Sequence, residues 1–229
     1  RDSSTSRGLG DVYKRQPKIN MEGIPKIKSK SKVRKENDEQ RYNVLVLDTS
    51  ASSSFLDSSG NIFYTADTAI DYVKASAKKF IEGVQKADGT NYVAIVEYKG
   101  STANVVSEFS TDFVSLNAAI DGLYASQNTR NVAAGLQKAD TLINEISNPK
   151  AIKNVVLFTT GMTNDGEYSY DGHYNEDTIG SEWRRSDTQV RLYAYSNAAY
   201  AMAETLKSKA TVYSCLLYTS PSPRDVEES

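Results

Sequence analysis

The chain is poor in the residue types that most often carry catalysis or cross-links. It has one cysteine, Cys215, and one histidine, His173, among 229 residues. A single thiol cannot form a disulfide framework. A single histidine provides neither a metal cluster nor a Ser-His-Asp set. No glycine-rich loop follows the first predicted strand, which excludes a P-loop or dinucleotide site.

Long apolar runs and an excess of one charge are also absent. No segment of the sequence approaches the length of a membrane span. Lys and Arg number 27 against 29 Asp and Glu, a formal net charge of −2. No basic field therefore indicates a nucleic-acid partner. We expect neither a membrane span nor nucleic-acid binding in this segment.

The two ends of the chain look foreign to the domain between them. Residues 1–16 contain "SRGLGDVYKRQ", which resembles the translation of a sequencing-library adapter, and residues 215–229 contain "CLLYTSPSPR", which resembles its reverse complement. We expect both ends to be adapter-derived, which leaves no native cysteine. The lysine-rich residues 17–41 are predicted to be a charged linker. Residues 42–214 remain as one domain, expected to be incomplete at its carboxyl end.

Hydrophobic periodicity from Tyr42 onward alternates between strands and helices. The near-continuous apolar runs "YNVLVLD", "NYVAIVEY" and "NVVLFTT" predict strands buried on both faces of a sheet. The short link "KGST" before "ANVVSEF" predicts an antiparallel hairpin. Apolar residues at helical spacing predict helices in 67–84, 113–123, 132–146 and 192–206. The pattern predicts a doubly wound α/β fold, mostly parallel with one antiparallel edge strand.

Polar side chains follow the first predicted strand, at the edge where such sheets bind ligands. Asp48 ends that strand in "VLVLDTSASS", and Ser50 and Ser52 follow two and four residues later. Oxygen ligands from a single turn suit Mg²⁺. Asp and Ser at the start of a helix also act as caps. This spacing alone therefore leaves both a magnesium site and a helix cap open.

Five segments, in this order and spacing, resemble a von Willebrand factor type A (VWA) domain of the kind found in Gram-positive bacterial surface proteins. They are "VLVLDTSAS", "AKKFIEGV", "YVAIVEY", "NVAAGLQKADTLI" and "NVVLFTTGMTNDG", and the resemblance covers residues 42–214. It implies a Rossmann-like fold and an adhesion or protein-binding module of a larger surface or secreted protein, not an enzyme. The implied partner is a host or matrix protein or another surface subunit, at an extracellular location.

The same resemblance implies a metal-ion-dependent adhesion site for Mg²⁺. Its Asp-x-Ser-x-Ser motif matches "DTSAS" at 48–52. The family's threonine position holds Arg130, with Thr129 one residue earlier as a substitute if the loop shifts, and its aspartate position holds Thr160. One hypothesis is a weakened magnesium site formed by the motif and Thr129. The other, which we favour because both changes weaken cation binding, is a metal-free site in which Arg130 bonds to Asp48.

Two alternative functions, a phosphotransferase and a purely structural domain, also remain open, as does the role of the aromatic residues in 162–190. A phosphotransferase of the haloacid dehalogenase type also starts with a strand and an Asp, but it needs a second Asp where Ser50 stands. A purely structural domain of a surface assembly would differ from a binding module only in lacking a ligand. Asp165 is expected to be a turn residue. Aromatic residues in the polar stretch 162–190 indicate either ligand recognition or packing: Tyr168, Tyr170, Tyr174 and Trp183.

Overall fold

The computed structural model describes part of the chain. The described residues are 39–51, 55–56, 62–64, 66–175 and 187–217, with side chains for 39–51, 69–175 and 191–217. Ser52 and Trp183, both singled out from the sequence, lie outside the side chains described. Most of the predicted linker and both outermost adapter-like stretches lie outside the described residues as well.

The strands of the described part form one main sheet and one short pair. The main sheet contains β1 Gln40–Asp48, β4 Thr90–Lys99, β5 Thr102–Ser110, β6 Ile152–Thr159 and β7 Thr211–Leu216. Its order is β5-β4-β1-β6-β7. Only the β4–β5 pair among these neighbours is antiparallel. The short pair consists of β2 Phe55–Leu56 and β3 Ile62–Tyr64.

Four helices lie between groups of strands in the described sequence. They are α1 Ala66–Gln85, α2 Phe113–Asp121, α3 Val132–Asn144 and α4 Asp187–Lys207. The predicted fold class, a mostly parallel α/β sheet with one antiparallel edge strand, is confirmed. None of the described helices is both long and apolar enough to cross a membrane.

Residues 44–47 of the central strand β1 are all apolar because both faces of the strand are covered there. Val44 and Val46 belong to a core cluster that includes residues of α3. Leu45 and Leu47 belong to a second cluster, which includes residues of α1 and α2. All four side chains are completely buried. A strand with helices on both faces gains buried apolar area at every position, which explains the continuous apolar run.

The last strand and the last helix differ from the sequence prediction. The predicted last strand stops at Ser214, but β7 continues and pairs Cys215 with Phe158 and Leu216 with Thr159. Backbone groups pair with a neighbouring strand whatever the origin of their side chains. Helix α4 starts at Asp187, before the predicted start at 192, because apolar spacing marks only the stretch of a helix that packs on the core.

Candidate functional site

Asp48 forms the centre of a buried polar cluster where β1 ends. Its side chain is fully buried. Oδ1 accepts hydrogen bonds from the Ser50 amide at 3.0 Å and the Ser50 hydroxyl at 2.6 Å. Oδ2 accepts from the Thr160 amide at 3.0 Å and the Thr160 hydroxyl at 2.6 Å. Protein donors thus satisfy both carboxylate oxygens, as buried polar groups require.

Arg130 brings a positive charge into this cluster. Its Nη1 lies 3.3 Å from Asp48 Oδ2 and donates to Thr160 Oγ1 at 2.9 Å. The arginine side chain is 6% exposed. The cluster therefore joins the end of β1, the loop before α3 and the residue after β6. A charge-assisted bond in this buried setting is stronger than the same bond in water.

The backbone of Arg130 is also fixed in place. Its amide donates to Asn164 Oδ1 at 2.8 Å, and its carbonyl accepts from the Asn164 amide at 3.1 Å. The Thr163 hydroxyl donates to the same carbonyl at 3.0 Å. Gly161 makes room for the guanidinium, because a β-carbon there would lie 2.6 Å from Nη1. Sequence patterns did not reveal these contacts; the glycine directly after Thr160 was the one available signal.

Thr129 points to a different carboxylate. Its hydroxyl donates to Asp165 Oδ2, and Asp165 Oδ1 accepts from the Gly166 amide at 2.6 Å. Gly166 has φ +102°, a left-handed conformation that favours glycine. Asp165 is thus the expected turn residue and also a partner of Thr129. The loop shift that would bring Thr129 to the motif is absent here, and Arg130 is the side chain that contacts Asp48.

Tyr98 lies beneath the cluster and was not singled out from the sequence. It is completely buried, and its hydroxyl donates to the Phe158 carbonyl at 3.4 Å. Burial, together with the negative charge of Asp48, raises the pKa of Tyr98 well above its usual value. The Tyr98 phenol therefore stays neutral over the whole physiological pH range and adds no charge to the site.

The arrangement of the described donors does not fit a divalent cation. Mg²⁺ needs oxygen ligands in a near-octahedral arrangement. Here the oxygens of Asp48 are directed at protein donors, and a guanidinium lies 3.3 Å from one of them. Within 39–51, 69–175 and 191–217, no three His, Cys, Asp or Glu side chains form a group that could hold a metal ion.

The loop of residues 167–175, which follows the cluster residues in sequence, packs against α4. Asn197 Nδ2 donates to the carbonyls of Ser169 and Tyr174 at 2.7 and 2.9 Å, and Oδ1 accepts from the Tyr174 amide at 2.7 Å. The rings of Tyr174 and Tyr193 are 5.4 Å apart. Tyr168 and Tyr170, by contrast, are 56% and 48% exposed. Packing explains Tyr174, and the other two tyrosines present surface to solvent.

The family model of the von Willebrand factor type A domain matches residues 43–163, more than half of the chain. The chain belongs to the von Willebrand factor type A family. The matched region contains every residue of the cluster around Asp48. It ends before loop 167–175 and α4, so the family match does not include the tyrosines of these two segments.

Known proteins similar to this VWA domain are distant. The collagen alpha-1(VI) chain of Xenopus laevis is 25% identical over 99 residues, which are 43% of this chain and 10% of that protein. The PilB minor pilin of Streptococcus sanguinis is 18% identical, with a TM-score of 0.54 over 77% of this chain and 50% of that one. Proximal thread matrix protein 1 from the mussel byssus is 15% identical, with a TM-score of 0.50 over 78% and 38%. This chain thus spans about a tenth of the collagen chain and half or less of the other two.

Proposed function

We propose that this VWA domain is a protein-binding module of a larger surface or secreted protein and that it works without a metal ion. One observation carries the metal-free part: the Arg130 guanidinium contacts both Asp48 and Thr160. In this proposal the guanidinium of Arg130 takes the place of a bound Mg²⁺. The similar proteins are named as a pilin, a thread matrix protein and a collagen chain, and these names support an extracellular binding role.

A closed cluster changes where a ligand would bind. Asp48, Arg130 and Thr160 are 2%, 5% and 6% exposed, so they offer no open position for a ligand carboxylate. In this proposal the cluster fixes the carboxyl edge of the sheet, and the ligand contacts the neighbouring loops. The burial of the cluster also favours the second candidate, a purely structural domain. A failure to find any ligand for the domain would support that candidate.

Phosphotransferase chemistry receives no support from this geometry. Such an enzyme needs a carboxylate two residues after the nucleophile, to move a proton. Ser50 occupies that position, and its hydroxyl donates to Asp48 Oδ1 at 2.6 Å. Asp48 is also buried, and Arg130 Nη1 lies 3.3 Å from its Oδ2, so neither carboxylate oxygen is open to a phosphoryl group.

Calorimetry with Mg²⁺ tests the metal-free proposal. We expect no saturable heat from the unchanged chain at millimolar Mg²⁺. The double variant Arg130→Thr/Thr160→Asp removes the guanidinium and adds a carboxylate, and we expect it to bind Mg²⁺ and to melt at a higher temperature in its presence. Adding Asp48→Asn to that variant should abolish both effects. Saturable binding to the unchanged chain that Asp48→Asn removes would overturn the proposal.

A further inference from the structure

An open pocket lies between loop 167–175 and α4. Its volume is about 400 Å³, which is enough for one long side chain. It is bounded on one side by the loop and on the other by the helix surface. Its chemically distinctive lining residues are Glu167, Tyr168, Asp171, His173, Asn197 and Tyr200.

The pocket is lined by two carboxylates that form no salt bridge with a described residue; the nearest described arginine by sequence, Arg191, lines a neighbouring pocket that shares Tyr168. Glu167 and Asp171 are both exposed, and no Lys or Arg is among the residues that line the pocket. Lys207 lies 5.9 Å from the centroid of the Tyr200 ring, but it is outside the lining and is paired with Glu204 at 2.6 Å.

Three aromatic rings also line the pocket. His173 and Tyr200 are stacked, with ring centroids 3.8 Å apart and an interplanar angle of 10°. Tyr168 is 56% exposed at the pocket edge. The face of an aromatic ring attracts a cation, and a nearby carboxylate adds to that attraction. Rings and carboxylates together favour a positively charged group over a neutral or negative one.

The loop that carries the carboxylates is held in place before any ligand arrives. Asn197 makes three hydrogen bonds to it, and the Ser169 amide donates to the Ala194 carbonyl at 3.1 Å. Gly172 lies so close to Asn197 that a β-carbon there would be 2.5 Å from Cγ. A preformed pocket loses little conformational freedom on binding, which favours affinity.

We propose that this pocket binds the cationic side chain of a lysine or arginine presented by a protein partner. This inference rests on the proposed protein-binding function and specifies the chemistry of its ligand. The partner would place its ammonium or guanidinium group between Glu167 and Asp171. Its aliphatic stem would lie along the exposed ring of Tyr168.

The test is a titration of the isotope-labelled full chain, followed by the NMR shifts of backbone amides. The probe is N-acetyl-lysine methylamide, and the comparison compounds are the norleucine and glutamate analogues and glucose. We expect saturable shifts at Gly172 and Ala201 with the lysine probe and none with the other three. Equal binding of norleucine would show an apolar pocket, and binding of glucose a sugar site. Either result, or no saturable shift with lysine, would overturn the proposal.

A matched pair of variants separates local charge from net charge. We expect Glu167→Gln/Asp171→Asn to weaken lysine binding about tenfold. Glu108→Gln/Glu145→Gln removes the same charge from exposed positions outside the pocket and should leave binding unchanged. Equal weakening by both pairs would also overturn the proposal. The titration contains no metal, so its failure leaves the calorimetric test of the metal-free site unaffected.

Discussion

At the scale of single residues, the buried side chain of Arg130 makes the site around Asp48 different from the metal site that the sequence motif suggests. Taking the charges of Arg130 and Asp48 out of water is unfavourable unless their remaining donors and acceptors are satisfied. Here Ser50 and Thr160 donate to both oxygens of Asp48, and Thr160 also accepts from Arg130 Nη1. The pair is therefore built into the fold, and removing one partner leaves the other charge buried without compensation.

Replacing Arg130 with methionine is expected to destabilise the domain strongly. The variant keeps most of the side-chain volume but leaves Asp48 without its cation, at an expected loss of about 3 kcal/mol in the free energy of unfolding. Urea denaturation followed by circular dichroism measures this change. The control is Lys207→Met, which removes an exposed salt bridge to Glu204 and should change stability little. Similar small losses in both variants would show that the buried pair does not hold the site together.

Part of this site was accessible from the sequence because it is local. The place of Asp48 and Ser50 at a strand end follows from an apolar run and a spacing of two. The contact of Gly161 with the Arg130 guanidinium and the hydrogen bond from the Arg130 amide to Asn164 both join segments more than 30 residues apart. The spacing of residues within one segment does not show which distant segment will contact it. Thr129 illustrates the same limit, because its partner Asp165 is 36 residues away.

At the scale of elements, α3 positions Arg130 by packing unusually close to the sheet. A β-carbon on Gly135 would lie 2.8 Å from Val46 Cγ1 and 3.0 Å from Tyr98 Cδ1. Val46 and Tyr98 are completely buried in the core. Glycine, which normally weakens a helix, is thus needed here for the close contact between helix and strand.

Gly135→Ala is expected to destabilise the domain although alanine favours helices. Overpacking against Val46 and Tyr98 should cost about 2 kcal/mol, more than the gain of about 1 kcal/mol in helix propensity. The matched control is Gly83→Ala in α1, where no atom lies within 4 Å of the added carbon. That variant should be slightly stabilised. Denaturant midpoints measure both, and a stabilised Gly135→Ala would contradict the close packing of α3.

The cap of α2 predicts a dependence of stability on pH. Asp112 accepts hydrogen bonds from the amides of Val114 and Ser115 and from the Ser115 hydroxyl. The bonds from Ser115, and then that from Val114, lower the pKa of Asp112 in the folded state. Its charge therefore stabilises the fold above the unfolded pKa of about 3.9, and this contribution is lost as pH falls through the lower folded value.

Asp112→Asn isolates that contribution, because asparagine also caps helices but carries no charge. The unchanged chain should melt at a higher temperature than the variant near neutral pH. The difference should shrink as pH falls below about 4. Melting curves across that range measure it. A difference that stays constant with pH would show that the charge of Asp112 does not stabilise the helix.

At the scale of the whole molecule, the sheet was predictable and the surface beyond it was not. The central strand β1 has a continuous apolar run at residues 44–47 because helices cover both of its faces there, so its burial can be read directly from the sequence. Loop 167–175 is held by polar contacts to Asn197 and by ring contacts, which leave no periodic trace. The sequence therefore left packing and recognition equally open for its tyrosines. The structure assigns packing to Tyr174 and exposure to Tyr168.

The edge strand β7 provides a test of how far the stability of the domain depends on the adapter-like residues 215–217. Cys215 and Leu217 pack against a core cluster, and the Leu217 amide donates to the Thr159 carbonyl at 2.9 Å, next to Thr160 of the cluster around Asp48. A chain that ends after Ser214 loses these contacts. We expect it to melt about 5 °C below a chain that ends after Leu217.

The comparison of those two chains isolates three residues, because both lack everything after Leu217. Leu216→Ser in the longer chain is the control, since this side chain is 55% exposed and its replacement keeps the backbone pairing. It should leave the melting temperature nearly unchanged. Equal melting of the two truncated chains would show that β7 needs no pairing beyond Ser214. A large effect of Leu216→Ser would instead assign the loss to that side chain and not to the strand.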